Sequence, residues 1–226
     1  MKAATPRSAL LVVTAVHLLA VGFDWGLISA VTKPLLMPLL ALYAWLAARP
    51  ARPRLLVAAV LCGWAGDVFL QFDAEAAFLA GMGAFAAGHV CYQVLFVRGW
   101  RTRRARIAAI PYALVWLGVL ALLWPGIGDL RVPVAFYSLL LAATAVAAVG
   151  INARAAVGGA LFLISDTLIA TGIADLPRPP GVHVWIMATY VAAQYLLVTG
   201  VLTSHTQPHM NDHPAELNRP QGTSPV

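Results

Sequence analysis

The chain has 226 residues, of which 61% are hydrophobic and 11% charged, against about 25% charged in an average soluble domain. That excludes an ordinary water-soluble globular domain and indicates a protein of the membrane. Fifteen basic residues against nine acidic ones give a formal charge of +6, but the arginines sit in short gaps between apolar runs, where they set topology and meet anionic headgroups, so the excess does not indicate a nucleic-acid partner.

A membrane-crossing helix needs about 20 mostly apolar residues. Eight such runs follow one another: Ser8–Phe23, Lys33–Ala48, Leu55–Phe72, Ala76–Val97, Ile107–Trp124, Val132–Gly150, Ala155–Gly172 and His183–Leu202. The first also has features of a signal peptide, with Lys2 and Arg7 ahead of it and Ala20-Val21-Gly22 as a small-x-small site. It is read as a helix, because its removal would leave Lys33–Ala48 as the exposed end of the bundle. The expected fold is therefore all-α: a polytopic helical bundle of about eight transmembrane helices forming one domain over residues 1–202.

Residues 203–226 are polar and rich in Pro, His and Asn, a composition that predicts a disordered cytoplasmic tail. His205, His209 and His213 have helical metal-ligand spacing, but Pro208 and Pro214 break the helix it would need, so no metal site is expected. Cys62 and Cys91 lie inside apolar runs without CxxC spacing and read as buried free thiols.

The gaps alternate in charge. Lys2, Arg7, Arg49, Arg52, Arg54, Arg98, Arg101, Arg103, Arg104, Arg106, Arg154 and Arg219 fall on one side, and Lys33, Arg131 and Arg178 on the other. The positive-inside rule then places both termini in the cytoplasm, in a bacterial-type plasma (inner) membrane. An offset of 99 residues superposes Asp67 on Asp166, Pro34 on Pro133 and Leu35 on Val134, which suggests a parallel repeat of four helices plus four.

Asp67 and Asp166 are the unusual residues. A carboxyl group deep in hydrocarbon costs a few kcal/mol on insertion scales, so it has to face the bundle interior and have a use there. Gly66-Asp67-Val68-Phe69-Leu70 and Ser165-Asp166-Thr167-Leu168-Ile169 share a pattern of a small residue, Asp, then apolar residues or Thr. Counted along the helices at 1.5 Å per residue, the two acids lie ~8–9 Å from the outer ends of their runs and Tyr137 and Tyr190 ~8–11 Å, with Lys33 at the mouth. His89, Tyr92 and Gln93 form a deeper stripe, and Gln194 follows Tyr190 by one turn.

Each residue also has a plainer reading: a structural partner for the acids, snorkelling for Lys33, an aromatic belt for the tyrosines, and an interhelical hydrogen-bond cluster for His89, Tyr92 and Gln93. His17 reads as satisfied locally. Gly81, Gly83 and Gly88, and the Gly158-Gly159 pair, read as close helix packing and not as phosphate loops, since no strand precedes them.

Thr32-Lys33-Pro34-Leu35, Gly66-Asp67, Gly83-Ala84-Phe85 through His89-x-x-Tyr92, Gly159-Ala160-Leu161-Phe162-x-x-Ser165-Asp166 and Ala188-Thr189-Tyr190 through Gln194 together resemble the YhhN-like lysoplasmalogenase family of integral membrane proteins. The similarity runs from Leu10 to Leu202. It implies an eight-helix hydrolase that, without a cofactor, cleaves the vinyl-ether bond of a lysophospholipid substrate with water, giving a fatty aldehyde and a glycerophospho-headgroup. The family's two proposed catalytic aspartates correspond to Asp67 and Asp166.

The chemistry suits the residues, because vinyl-ether hydrolysis resembles glycoside hydrolysis in needing one protonated and one ionised carboxyl, and two carboxyls in one low-dielectric site cannot both ionise cheaply. It requires the third and seventh helices to be neighbours whose acids look into one shared hollow. Which Asp plays which part stays open in the sequence. Lys33, His89, Tyr92, Tyr137, Tyr190 and Gln194 are the expected substrate-binding residues. The alternative is a proton-coupled carrier of a lipid or small solute using the same acids. An intramembrane aspartic protease fits less well, since Gly63-Trp64-Ala65-Gly66-Asp67 has the wrong spacing and Asp166 follows Ser.

Overall fold

The computed structural model describes residues 3–49 and 52–206. The tail expected from residue 203 begins later, since residues 203–206 continue the last helix; the rest of it, and the side chains of His205, His209 and His213, lie outside what is described.

Eight α-helices account for the described chain: α1 (Ala4–Gly22), α2 (Gly26–Ala47), α3 (Arg54–Phe69), α4 (Glu75–Leu95), α5 (Arg103–Leu123), α6 (Arg131–Val149), α7 (Ala153–Ile173) and α8 (Val182–Thr206), with short 3-10 turns before α5 and α6. The all-α membrane bundle expected from hydropathy is the fold found. Seven helices are long and apolar enough to cross a membrane. The exception is α3, whose 16 residues span ~24 Å against a hydrocarbon core of about 30 Å.

Two boundaries differ from the sequence reading in a way that matters. The second helix begins at Gly26 rather than Lys33, because Gly26 to Thr32 are small or apolar and continue the same helix; a lysine is not a helix start. The third ends at Phe69 rather than Phe72, and its last turn is followed by a tight turn in which the Gln71 and Phe72 amides donate to Val68 and Phe69 carbonyls.

Neighbours in sequence are neighbours in space: α1 packs on α2, α2 on α3 and α3 on α4, then α5 on α6, α6 on α7 and α7 on α8. The halves join through α4 with α6 and through α8 with α1, α2 and α3. The third and seventh helices, expected as direct neighbours, are not among these main pairs; side chains from α4, α7 and α8 fill the space between them. The fifth helix is the least buried.

Proline and glycine set two of these contacts. Pro38 lacks the amide hydrogen that would bond the Pro34 carbonyl, and the Trp64 indole Nε1 of α3 donates to that carbonyl instead at 3.0 Å, tying α3 to α2. A Cβ on Gly158 would sit 2.9 Å from the Leu197 amide nitrogen of α8, and one on Gly159 2.8 Å from Ala145 Cα of α6. Consecutive glycines therefore let α7 press its backbone against both neighbours, as small residues do in membrane bundles. Cys62 and Cys91 are free thiols, half-buried rather than fully enclosed.

Candidate functional site

The short third helix brings the polar residues to one depth. Lys33 is seven residues inside α2, Tyr137 six inside α6, Tyr190 eight inside α8 and Asp166 seven from the end of α7, so all four lie ~9–12 Å below the arginine-poor ends of their helices. Lys33 is thus inside the bundle rather than at its mouth. Asp67 is two residues from the end of α3, yet it reaches the same layer because α3 stops short.

Each carboxyl is held by a tyrosine from another helix. Tyr190 Oη donates to Asp67 Oδ2 at 2.7 Å, and Tyr137 Oη donates to Asp166 Oδ2. Asp67 also faces a cation: Lys33 Nζ is 4.0 Å from its Oδ1. Asp166 has no such neighbour among the described residues, but the Asp67 charge acts on it and on Tyr137. Asp67 is buried, and Lys33 keeps about a fifth of its side chain exposed.

Aromatic rings pack around Tyr190, beside the carboxyls. Phe85 of α4 meets Tyr190 edge-on at 5.9 Å and Phe162 of α7 at 6.3 Å, and Phe162 meets Tyr190 at 5.5 Å. Such contacts contribute about 0.5–1.5 kcal/mol each beyond burial. Gly66 makes room for this wall, since a Cβ there would lie 2.6 Å from the Phe85 ring.

His89 sits behind Phe162, ring to ring at 4.5 Å, and touches the Tyr92 and Tyr137 rings. Neither of its nitrogens has a hydrogen-bond partner among the described residues. Deeper still, Tyr92 Oη donates to Gln194 Oε1 at 2.8 Å, and Gln194 Nε2 lies beside Gly63. Gln93 leaves the stripe: its amide donates to Thr144 of α6 and accepts from the Trp100 indole. The i, i+4 relation to His89 overstated how far they share a face. His17 is buried and pairs through Nδ1 with Thr32 Oγ1 at 2.8 Å, a partner on α2 rather than a local one, and its Nε2 has no hydrogen-bond partner among the described residues.

Asp166 and Tyr137 also line a groove of about 860 Å3, counted with its open mouth. Leu70, Phe78, Met82 and Phe85 form one wall, Val115 to Leu123 of α5 the other, and Leu163, Ile169, Ala170 and Ile173 the floor. Ser138, whose hydroxyl accepts from the Trp116 indole at 3.0 Å, and Thr167 are its other polar members. No sequence motif marked this groove, because its walls come from four helices and the turn after α3, whose apolar residues are indistinguishable from lipid-facing ones. Phe85 and Phe162 did lie within the quoted family motifs, without a role.

A polytopic helical bundle that encloses two tyrosine-held carboxyls at one depth, next to an apolar groove, is a membrane protein with an acid site inside the bilayer. Residues 28–201 match the model of the YhhN family, and the chain belongs to that family, as its motifs indicated. Among curated relatives, Lysoplasmalogenase TMEM86B of Homo sapiens is 34% identical over 157 residues, covering 67% of this chain and 65% of the human protein. The Lysoplasmalogenase of Mycobacterium bovis is 32% identical over 158 residues, covering 65% of this chain and 60% of its own length. The matches thus span just under two thirds of these relatives. No solved structure matches the chain.

Proposed function

We propose that this protein is a lysoplasmalogenase-type hydrolase, cleaving the vinyl-ether bond of alkenyl-lysophospholipids with Asp166 as acid and Asp67 as the ionised partner. The observation that carries the reading is the asymmetry of the pair: Lys33 faces Asp67, while Asp166 lines an apolar groove. The names of the relatives support the substrate class.

The alkenyl chain lies in the groove, and its first double bond meets Asp166. The acid gives its proton to the chain's second carbon, and the electron pair of the double bond forms the new C–H bond. The first carbon and the ether oxygen then share the charge of an oxocarbenium ion. Asp67, ionised beside Lys33, stabilises that cation and takes a proton from the water that adds to the first carbon. The hemiacetal collapses: the bond to the glycerol oxygen breaks as Asp67 passes the proton it took from water to that oxygen, the hemiacetal hydroxyl gives its proton to the Asp166 carboxylate, and the aldehyde leaves along the groove with both carboxyls restored. Tyr137 and Tyr190 hold the carboxyls in place, and Lys33, partly exposed, faces the headgroup phosphate. His89, Tyr92 and Gln194 stand behind the reacting layer and fix Tyr137 and Tyr190. The buried layer of Tyr92, Phe96 and Gln194 closes the bundle toward the arginine-rich face, which supports hydrolysis over a carrier needing access from both sides.

The test is aldehyde release by the purified protein from alkenyl-lysophospholipids, with acyl-lysophospholipids as the control. Aldehyde from the alkenyl lipids alone is the expected result; uptake of lipid into proteoliposomes with no aldehyde formed overturns the reading.

The groove makes a separate prediction about chain length. Ala170 lies in its floor, so Ala170→Trp shortens it. KM for long-chain substrates is expected to rise about 10-fold, the worth of roughly two buried methylenes, with short-chain substrates little changed. An equal effect on both chain lengths would place the chain elsewhere.

A further inference from the structure

A second cavity opens on the opposite, arginine-rich face, remote from the carboxyls. It lies between the first turns of α1 and α7 and the last turns of α2 and α8, and has about 810 Å3 counted with its mouth. Arg7, Arg154, Tyr43, Tyr195, Thr199 and Thr203 line it. Tyr43 and Tyr195 stack at 6.0 Å, the Arg7 guanidinium lies over the Tyr195 ring at 5.9 Å, and both guanidinium charges act on Tyr43.

Among the described residues the cavity has no counter-charge: Asp24, Asp73, Glu75, Asp129 and Asp175 are all at the other end of the bundle, and Asp67 and Asp166 are inside it. Among the described residues neither guanidinium has a carboxylate partner. The site is also held in shape: Asn152, which caps α7 through the Ala155 amide, donates through Nδ2 to the Gly200 carbonyl of α8 at 2.8 Å. Two fixed helix ends thus present two arginines and two phenols to one opening at headgroup level. Basic pockets between transmembrane helices with this composition take lipid phosphates, and the planar guanidinium suits phosphate oxygens in pairs.

We propose that this cavity is a second, non-catalytic site that binds a phosphate group, with Arg7 and Arg154 as its cationic ligands and the Tyr43 and Tyr195 hydroxyls beside them. The source of the phosphate is a lipid headgroup or a soluble phosphate ester.

The test uses the full-length protein in phosphatidylcholine vesicles, alone, with added phosphatidic acid, or with added glycerol 3-phosphate. Bound phosphate compound is read by native mass spectrometry and by the shift in thermal unfolding. Phosphatidic acid is expected to bind, and Arg7→Gln with Arg154→Gln to weaken it about 30-fold, since each arginine near the surface is worth about one kcal/mol. Arg103→Gln with Arg104→Gln, which removes the same charge elsewhere on that face, should have a much smaller effect. The same pattern with glycerol 3-phosphate alone upholds the site and makes its ligand soluble. No binding above the phosphatidylcholine background, or equal losses in the two variants, overturns the proposal. The mass-spectrometric result on the unmodified protein decides the first of these whether or not the variants fold. Turnover is not the readout, so failure of the hydrolase reading would leave this result standing.

Discussion

Replacing Asp166 with Asn is expected to lower kcat for aldehyde release by about 10^3-fold, in the middle of the range for loss of a positioned general acid, while the protein keeps its unfolding temperature. Asparagine has the same shape and still accepts the Tyr137 hydrogen bond, so packing is preserved and only the proton is lost. Asp67→Asn removes the ionised partner of Lys33 and is expected to cost a similar factor for a different reason. It leaves the lysine without its counter-charge and the oxocarbenium ion without stabilisation.

A double variant separates the two roles. Residues that act on one step are non-additive, so Asp67→Asn with Asp166→Asn should be little worse than either alone. Turnover within a few-fold of the unmodified protein in purified Asp166→Asn would remove that residue from the chemistry. Independent, multiplying losses would show that the two carboxyls do not serve one transition state.

Much of this site was legible because membrane burial makes polar residues conspicuous. Asp67 and Asp166 were the acids inside apolar runs, and Tyr137 and Tyr190 came to the same depth by counting residues; these are the tyrosines that hold them. The count placed Lys33 at the surface because a lysine was taken as a helix start, and the apolar turns before it carry it inward. It also assumed that two acids at one depth require adjoining helices. Phe85, Phe162 and Tyr190 instead span the space between α3 and α7, a solution that depends on ring size and on Gly66, neither of which a hydropathy pattern encodes. The groove was not readable for a related reason: a residue facing a lipid-filled cleft and one facing the bilayer are chosen by the same solvent.

The close backbone approach of α7 to α8 gives a large expected loss of stability. A Cβ on Gly158 lies 2.9 Å from the Leu197 nitrogen and 3.0 Å from the Ala193 carbonyl oxygen, and neither can turn aside as a side chain would. Gly158→Val therefore has to push α7 away from α8, at a cost of about 3 kcal/mol, the upper part of the range for overpacking. Asp166 rides on α7 and Tyr190 on α8, so separation also shifts the acid from the ring wall, and activity should fall well below the unfolding temperature. Gly83→Ala is the control, because a Cβ at Gly83 meets nothing within 4 Å. There the helix gains up to about 1 kcal/mol from the better propensity of alanine. Thermal unfolding of both variants in the same lipid decides the matter: if Gly158→Val melts with Gly83→Ala, the contact between α7 and α8 is looser than 2.9 Å implies, and the glycine is not what seats the two helices.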